Sequence, residues 1–451
     1  MLNKNEIAGQ WKAFSSRKKA FVMTCIFLFI FCVPMQAWPF AEFIKTVPFN
    51  AFSSGRGGTI VAIGDEPSNM NMNPAVISEV ESNLFDTSFN IVIPDIDYKY
   101  TGTDNKEFKT SDKDRIGLLP HISYAHNFKG SPWVLGLAAS VIDGFGCDYT
   151  IQSRYYGPIN AFGELLHLRF APNISYQISP NLSLGLRLAL DYGSMDIRLP
   201  IGRLFIDLGQ CDNFGYSGAL GLLYKPTDKL NIGLYYESET VLNDLKTKNR
   251  DAYFSLKFDT GTLTYAPMDV ILKDVKFPQH FGIGIAYRPS PLFRLSADIR
   301  YVDWGNTWKI QGITLNGSDG QLNLVAPFGT QTHTPAAFGL EYFLNDMYAL
   351  SLGYRYSDEC MDNVNMNPLI PGEVQHMITC GISVMPAKNV KFGAALIWGI
   401  MDHPNAPVAH AYDDYIEEKF GFEPGFIDSE LEASRADYAT YNLILSAQVS
   451  W

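Results

Sequence analysis

The sequence has 451 residues, of which 47 are Asp or Glu and 35 are Lys or Arg, and its formal net charge of −12 disfavours a nucleic-acid-binding protein. Charged residues make up 18% and aromatic residues 14%, whereas soluble domains carry about 25% charged residues, which predicts a surface that does not all face water. A mean hydropathy of −0.03 is too low for a bundle of membrane helices.

The N-terminal segment is typical of a secretory signal peptide. Lys12 and the basic residues 17–19 precede a predominantly apolar run at 20–33, and Ala37 supplies a small residue for cleavage. This run is shorter than the roughly 20 residues that a membrane-spanning helix needs. We therefore expect residues 1–37 to be a cleaved signal peptide, with a retained membrane anchor as the alternative.

The next stretch, Phe52 to Ile77, is dense in turn-forming residues. Its order is Gly55, Gly57 and Gly58, then Asp65, then the triplet Asn73-Pro74-Ala75. Glycine allows backbone geometries that other residues avoid, and Asn, Asp and Pro favour turns. The stretch has too little apolar surface to fold alone. We predict that residues 38–83 form a plug inside the structure that follows.

From residue 84 to the end the sequence alternates between apolar and polar residues, which predicts an all-β protein. Residues 182–192 place leucines on one face and Ser183, Gly185, Arg187, Ala189 and Asp191 on the other. Small residues and single charges on the second face suit a lumen better than solvent. The predicted fold is a 14-stranded antiparallel transmembrane β-barrel over residues 84–451. Its expected strands are 84–98, 116–128, 133–143, 165–178, 182–195, 213–224, 229–240, 279–288, 292–304, 334–344, 347–357, 374–385, 389–400 and 438–451.

The connections between these strands alternate between short and long, as in outer-membrane barrels, where periplasmic turns are short and outer loops long. The long ones are expected at 99–115, 144–164, 196–212, 241–278, 305–333, 358–373 and 401–437. The segment YFSLKF within 250–266 could be a fifteenth strand, but an even number is expected, so we assign it to a structured loop.

The stretch Ser53-Ser54-Gly55-Arg56-Gly57, followed by Asp65 and Asn73-Pro74-Ala75, resembles the outer-membrane transporters of long-chain fatty acids and hydrocarbons (FadL/TodX type). The resemblance implies a plug motif at Gly55, Gly57, Asp65, Asn73, Pro74 and Ala75. It also implies that apolar ligands leave sideways through a gap made by a kink in the third strand, here Trp133 to Asp143. Since glycine in a strand often marks a bend, Gly136 or the pair Gly144 and Gly146 could supply it.

Ligand-binding candidates lie in the long loops and near strand ends. Phe254, Phe258 and Phe422 could catch an apolar ligand outside, although they could equally pack the loops together. Arg198 and Lys309 roughly match positions where the family places basic residues against a head group. Five other arginines are expected to face the lumen, and most of them to pair with acids such as Asp191, Asp298 and Glu341; they are Arg169, Arg187, Arg294, Arg300 and Arg355.

The sequence contains no catalytic arrangement, phosphate loop, metal-ligand spacing or cofactor motif. Whether Cys147 and Cys211 form a disulfide stays open. The resemblance implies a monomer in the outer membrane of a Gram-negative bacterium, surrounded by lipid and lipopolysaccharide, inserted by the barrel-assembly machinery and taking a long-chain fatty acid or similar hydrophobic ligand. Alternatives are a transporter of aromatic hydrocarbons, a general porin or a surface adhesin.

Overall fold

The structure is a computed structural model. It describes residues 45, 48–101, 106–113, 116–247, 252–308, 310–317, 320–327, 329–358, 360, 369, 374–400, 415, 417–427 and 435–451. The predicted signal peptide at 1–37 lies outside this set. None of the described helices is long and apolar enough to cross a membrane.

Residues 48–83 contain one short helix, α1 (Ala51–Gly55), and two 3₁₀ turns at Pro67–Asn71 and Val76–Glu79. Asn50 caps α1, because its side-chain oxygen accepts a hydrogen bond from the backbone N–H of Ser53 at 2.8 Å. A third 3₁₀ turn lies at Trp304–Asn306. Local turns therefore dominate this segment, as its composition predicts.

The described residues form one sheet of 22 strands. In chain order they are β1 (Leu84–Thr101), β2 (Glu107–Ser111), β3 (Gly117–Asn127), β4 (Trp133–Ser153), β5 (Gly157–Ser179), β6 (Leu182–Ile201), β7 (Leu204–Thr227), β8 (Leu230–Glu237), β9 (Thr240–Leu242), β10 (Leu245–Thr247), β11 (Ala252–Phe258), β12 (Gly261–Lys273), β13 (Lys276–Phe277), β14 (His280–Ser290), β15 (Phe293–Val302), β16 (Ile310–Gly317), β17 (Gly320–Pro327), β18 (Ala336–Phe343), β19 (Tyr348–Tyr356), β20 (His376–Ala387), β21 (Val390–Ile400) and β22 (Arg435–Ser450).

Fourteen of these strands form the wall of a closed antiparallel barrel: β1, β3 to β8, β14, β15 and β18 to β22. Each pairs with the next, and β22 closes the barrel on β1, with Leu84 opposite Ser450 and Lys99 opposite Arg435. The predicted strand number and antiparallel order are confirmed. The remaining strands extend the sheet beyond the wall at the end of the barrel that carries the long connections, which we call the loop end.

The two faces of the wall differ as the alternation predicts. On β6, Leu186 and Leu188 point outward and are exposed, whereas Arg187 and Asp191 point inward and are buried. An outward face of exposed leucines and aromatics is what contact with lipid requires.

Two of the predicted long loops are wrong, because the strands continue through them. β4 and β5 run on to Ser153 and Gly157, and β6 and β7 run on to Ile201 and Leu204, so 144–164 and 196–212 are tall hairpins. The segment YFSLKF is β11, which pairs with β7 and β12 above the wall rather than within it. Its assignment to a structured loop is therefore correct.

Candidate functional site

The turn-rich segment from residue 48 to residue 80 lies inside the barrel and touches the wall all around. Nine wall glycines make this contact possible, because a Cβ at any of them would overlap atoms of the segment. A Cβ at Gly221 would overlap the Asn73 side chain, and one at Gly353 would overlap the backbone of Gly57. The nine are Gly136, Gly185, Gly221, Gly233, Gly284, Gly339, Gly353, Gly381 and Gly393.

Asn73 holds the predicted plug motif against the wall. Its side-chain amide donates to the carbonyl oxygen of Val61 at 2.7 Å and to that of Leu222 on β7 at 3.1 Å. Its side-chain oxygen accepts a hydrogen bond from the backbone N–H of Ala75 at 3.0 Å. Pro74 lies beside Gly185 and Gly221, with no room for a side chain at either. These contacts explain why Asn, Pro and Ala stand together here.

The first part of the motif also contacts the wall. Gly57 and Gly58 have φ of 73° and 79°, a left-handed geometry that favours glycine. The backbone N–H of Gly57 donates to the hydroxyl of Thr379 at 2.9 Å, and that hydroxyl donates to the carbonyl of Gly55 at 3.1 Å.

A fully buried ion pair lies at the centre of the plug. The guanidinium of Arg56 donates to both carboxylate oxygens of Glu66, at 2.7 and 2.8 Å. Burial lowers the pKa of Arg56, but the carboxylates of Glu66 and Glu341 outweigh it and raise the pKa above its usual value. At the rim of the plug, Arg294 on β15 binds Asp65 at 2.8 Å, where the Asp65 side chain is half exposed.

Four of the five arginines predicted to face the lumen are buried in it, and Arg294 is partly exposed. A second group of charges lies above the plug. Arg169 binds Asp191 and Glu237, each at 2.7 Å, and Arg187 binds Glu237 at 2.7 Å. Arg187 also donates to the backbone carbonyl of Asn71, which ties the group to the plug. The predicted pairing is correct for Arg169 with Asp191 and for Arg294 with Glu341. Asp298 instead accepts hydrogen bonds from the backbone N–H groups of Ile60 and Val61.

Four members of this group were not among the sequence-derived candidates: Lys45, Asp143, His167 and Glu237. His167 lies between two carboxylates, 2.6 Å from Asp143 and 2.8 Å from Asp191. Alternation along β5 could have identified it, because it precedes the lumen-facing Arg169 by two residues. Nothing in the sequence links Lys45 or Glu237 to the same place. We call the seven side chains the ion cluster: Lys45, Asp143, His167, Arg169, Arg187, Asp191 and Glu237.

Above the ion cluster, the loop end of the barrel interior is filled with apolar side chains. The ring of Phe277 stacks on that of His167 with centroids 4.0 Å apart, so the two groups are in direct contact. We call this the loop-end cluster; its members include Phe145, Tyr149, Leu165, Leu199, Phe254, Phe277, Trp304 and Trp308.

The wall is discontinuous between its second and third strands, β3 and β4. Their ladder runs from Asn127 opposite Val134 to His121 opposite Ser140, and within the described residues it goes no further towards the loop end. The next residue of β3 is Pro120, which has no N–H to offer. One step on, β4 has a bulge at Ile142, between Val141 and Asp143.

Beyond this point β4 passes on the inner side of β3. Val141 and Leu166 point outward on β4 and β5, yet both are only 3% exposed, whereas Leu135 on the same face of β4 is 41% exposed. They are covered because they pack against Val92 and Leu119, which point inward from β1 and β3. We call these four aliphatic residues the seam.

The glycines predicted to bend the third strand lie on either side of the bulge, Gly136 before it and Gly144 and Gly146 after it. Gly136 lies within the regular ladder, opposite Ala125 and Asn173, and faces Met70 of the plug. Gly136 allows the plug to pack closely against β4 and does not bend the strand, so its predicted role at the kink is wrong. Gly144 and Gly146 follow the bulge and remain paired with β5.

The predicted loop aromatics form two sets of ring contacts, and both sets pack against the loop-end cluster. Phe258 and Phe422 meet at 6.5 Å between centroids and share contacts with Phe426, at the rim of the loop end. Phe254 stacks on Tyr265 at 4.7 Å and packs into the loop-end cluster.

Of the two basic candidates, only Arg198 lies in the part of the chain that the structure describes. Arg198 lies on the face of β6 opposite to Leu199, outside the loop-end cluster, and its guanidinium binds Asp207 at 2.8 Å and Asn160 at 3.1 Å. The prediction that it binds a ligand head group has no support in this geometry. Lys309 lies outside the described residues.

The four cysteines from residue 147 onward are free thiols, so Cys147 and Cys211 do not form a disulfide. Among the residues the structure describes, no group of His, Cys, Asp and Glu has the geometry of a metal site.

Comparison with known proteins places this barrel in a family. Residues 49–403 match the sequence profile of the outer membrane protein transport protein family (OMPP1/FadL/TodX). The chain is 20% identical over 402 residues to a long-chain fatty acid transport protein of Salmonella typhi, and the alignment covers 81% of this chain and 88% of that protein. The corresponding protein of Escherichia coli K12 is 18% identical over 411 residues, covering 81% and 89%.

Solved structures have the same fold. The toluene transporter TodX of Pseudomonas putida superposes with a TM-score of 0.72 at 20% identity, over 93% of this chain and 99% of that one. A Pseudomonas aeruginosa FadL homologue gives 0.70 at 15% identity, over 90% and 99%. The family profile spans most of the chain, and the chain therefore belongs to the OMPP1/FadL/TodX family of outer membrane transport proteins.

Proposed function

We propose that this chain lets long-chain fatty acids, or hydrophobic compounds of similar size, cross the outer membrane by passive diffusion down their own gradient. Residues 38–83 act as its plug, once residues 1–37 have been removed as a signal peptide. The observation that carries the proposal is the seam between β3 and β4. There, aliphatic side chains rather than ladder hydrogen bonds separate the lumen from lipid.

A straight path through the barrel would not suit such a ligand. The plug fills the lumen and is attached to several wall strands by hydrogen bonds and by ion pairs to Glu341 and Arg294. An apolar chain gains roughly 25 cal/mol for each Å² that it removes from water, so it is more stable in lipid than in any hydrated passage. The lateral opening therefore lies at the seam, where the aliphatic side chains of Val92, Leu119, Val141 and Leu166 would have to move aside.

The entry route starts at the loop end. Phe258, Phe422 and Phe426 form an aromatic group at the rim, where a ligand arriving from outside makes its first contact. From there it passes into the loop-end cluster and reaches the seam. We further propose that the chain works as a monomer surrounded by outer-membrane lipid and lipopolysaccharide, and that the barrel-assembly machinery inserts it.

Loss of the protein should slow the uptake of labelled oleate. We expect a deletion strain to take up oleate more slowly than its parent, and a plasmid copy to restore the rate. The same strains given labelled toluene distinguish the aromatic alternative, since a defect for toluene alone would replace fatty acids as the ligand class. Equal uptake of both compounds by both strains would contradict the proposal.

Blocking the seam should have the same effect without removing the protein. Leu119→Trp places a large ring against Val141, and we expect oleate uptake to fall to the rate of the deletion strain. Leu135→Trp is the matched control, because Leu135 is exposed on the outer face of β4 and its replacement should leave uptake unchanged. If Leu119→Trp assembles normally and transports at the parental rate, the ligand does not leave at the seam.

A further inference from the structure

The ion cluster carries one positive charge more than it has acids to balance. Its acids are Asp143, Asp191 and Glu237, and two of its cations are the guanidinium groups of Arg169 and Arg187. Lys45 is the third cation. These three cations would balance the three acids if His167 were neutral. The protonation state of His167 therefore decides the net charge of the cluster.

His167 must be an imidazolium ion. Its Nδ1 lies 2.6 Å from a carboxylate oxygen of Asp143, and its Nε2 lies 2.8 Å from one of Asp191. An ionised carboxylate only accepts hydrogen bonds, so both ring nitrogens donate and both carry a hydrogen. The neighbouring His280 faces one acid, Glu237, and one hydroxyl, that of Tyr235, and a neutral ring satisfies both. The cluster thus has four positive and three negative charges.

The unmatched charge is at Lys45. Its ammonium is 3.9 Å from the nearest carboxylate oxygen, on Asp143, which is too long for a hydrogen bond, and its side chain is only 5% exposed. The ammonium makes no hydrogen bond to the part of the chain that the structure describes. A buried ammonium with unfilled donors is costly, and it gains most from an additional anion.

Lys45 is also fixed at the discontinuity in the wall. Its backbone forms an isolated antiparallel bridge with Asp143. The other edge of Asp143 pairs with His167 on β5, so Lys45 occupies the edge of β4 that β3 leaves unpaired. The ammonium and the imidazolium both contact Asp143, two residues after Val141 of the seam.

From this geometry we infer that Lys45 and His167 form a binding subsite for the carboxylate head of a long-chain monocarboxylate. The head lies against the Lys45 ammonium and fills its donors, while the alkyl tail lies along the seam between Leu119 and Val141. The fourth acid that the cluster lacks is supplied by the ligand. This subsite rests on the proposed function and narrows it, because it favours fatty acids over neutral lipids and hydrocarbons of the same length.

The subsite is tested by comparing oleate with oleyl alcohol, which has the same tail and no charge. We expect the purified, detergent-solubilised protein to bind oleate more tightly than oleyl alcohol. Lys45→Met, which keeps length and removes charge, should weaken oleate binding by roughly tenfold or more, the usual size for a charge-assisted hydrogen bond, and change the binding of oleyl alcohol less than about twofold. Lys45→Arg should restore the preference for oleate.

Lys391→Met is the matched control, because the Lys391 ammonium also lies inside the barrel, 3.9 Å from the ring centroid of Phe52 in the plug and away from the seam. This substitution should change the binding of neither oleate nor oleyl alcohol. Equal binding of oleate and oleyl alcohol by the unmodified protein would overturn the subsite without any variant, and so would a loss in Lys45→Met that is equal for both ligands. An unmodified protein that binds neither ligand would instead refute the proposed function itself.

Discussion

Gly221→Val is expected to turn the plugged barrel into an open pore. A side chain at residue 221 would overlap Asn73, Pro74 and the backbone of Ala75, which are held by hydrogen bonds and cannot move aside separately. The plug motif must therefore leave its place on β7. We expect this variant to carry a steady ionic current in planar bilayers and the unmodified protein to carry none, and we expect cells with the variant to be more sensitive to large antibiotics.

Gly218→Val on the same strand is its control. The nearest atoms to a Cβ at residue 218 are the carbonyl of Arg187 at 3.5 Å and the Leu188 side chain at 3.9 Å, which leaves ordinary room. This variant should remain closed. If Gly221→Val assembles into the membrane and conducts no more current than Gly218→Val, the wall glycines do not determine the position of the plug.

Glu66→Gln is the second substitution with a large expected effect. It removes the bidentate partner of Arg56 and leaves a fully buried guanidinium with Glu341 at 3.8 Å as its nearest acid. Breaking a buried ion pair in this way costs about 3–5 kcal/mol. We expect the plug to unfold at a lower urea concentration than in the unmodified protein, measured as the concentration at which the reconstituted protein begins to conduct.

Asp65→Asn offers a comparison of the same chemistry at an exposed position. Asp65 also pairs with an arginine, but its side chain is 49% exposed and Arg294 retains Glu341. An exposed pair contributes about 1 kcal/mol or less, so the urea threshold should shift little. Equal thresholds for Glu66→Gln and the unmodified protein would mean that the buried pair does not stabilise the plug.

The wall strands could be predicted because lipid imposes one rule on all of them, apolar outside and mixed inside. That rule fails above the bulge of β4, where Phe145, Tyr149 and Ile151 point inward to the loop-end cluster and Asp148 is on the other face. The alternation is intact but reversed, and glycines interrupt it. The sequence therefore predicts a loop for the part of β4 beyond the bulge, although this part is a strand.

The site was harder to predict than the wall because its members are distant in sequence. Alternation identifies Arg169 as a lumen residue, but only the closed barrel brings it to Glu237, which lies on another strand. The seam is less predictable still. The seam depends on which side chains of β4 point towards β3. A single extra residue at Ile142 exchanges the inward and outward sets of side chains beyond it.

The ladder that closes the barrel joins β1, the first wall strand in the chain, to β22, the last. The plug directly precedes β1 in the chain, and it packs against glycines on wall strands all around the barrel. We expect the N-terminal segment to take its place before β22 docks on β1, because a wall that has not yet closed leaves room for it. A defect in β22 should then leave an incomplete barrel from which the N-terminal segment can dissociate.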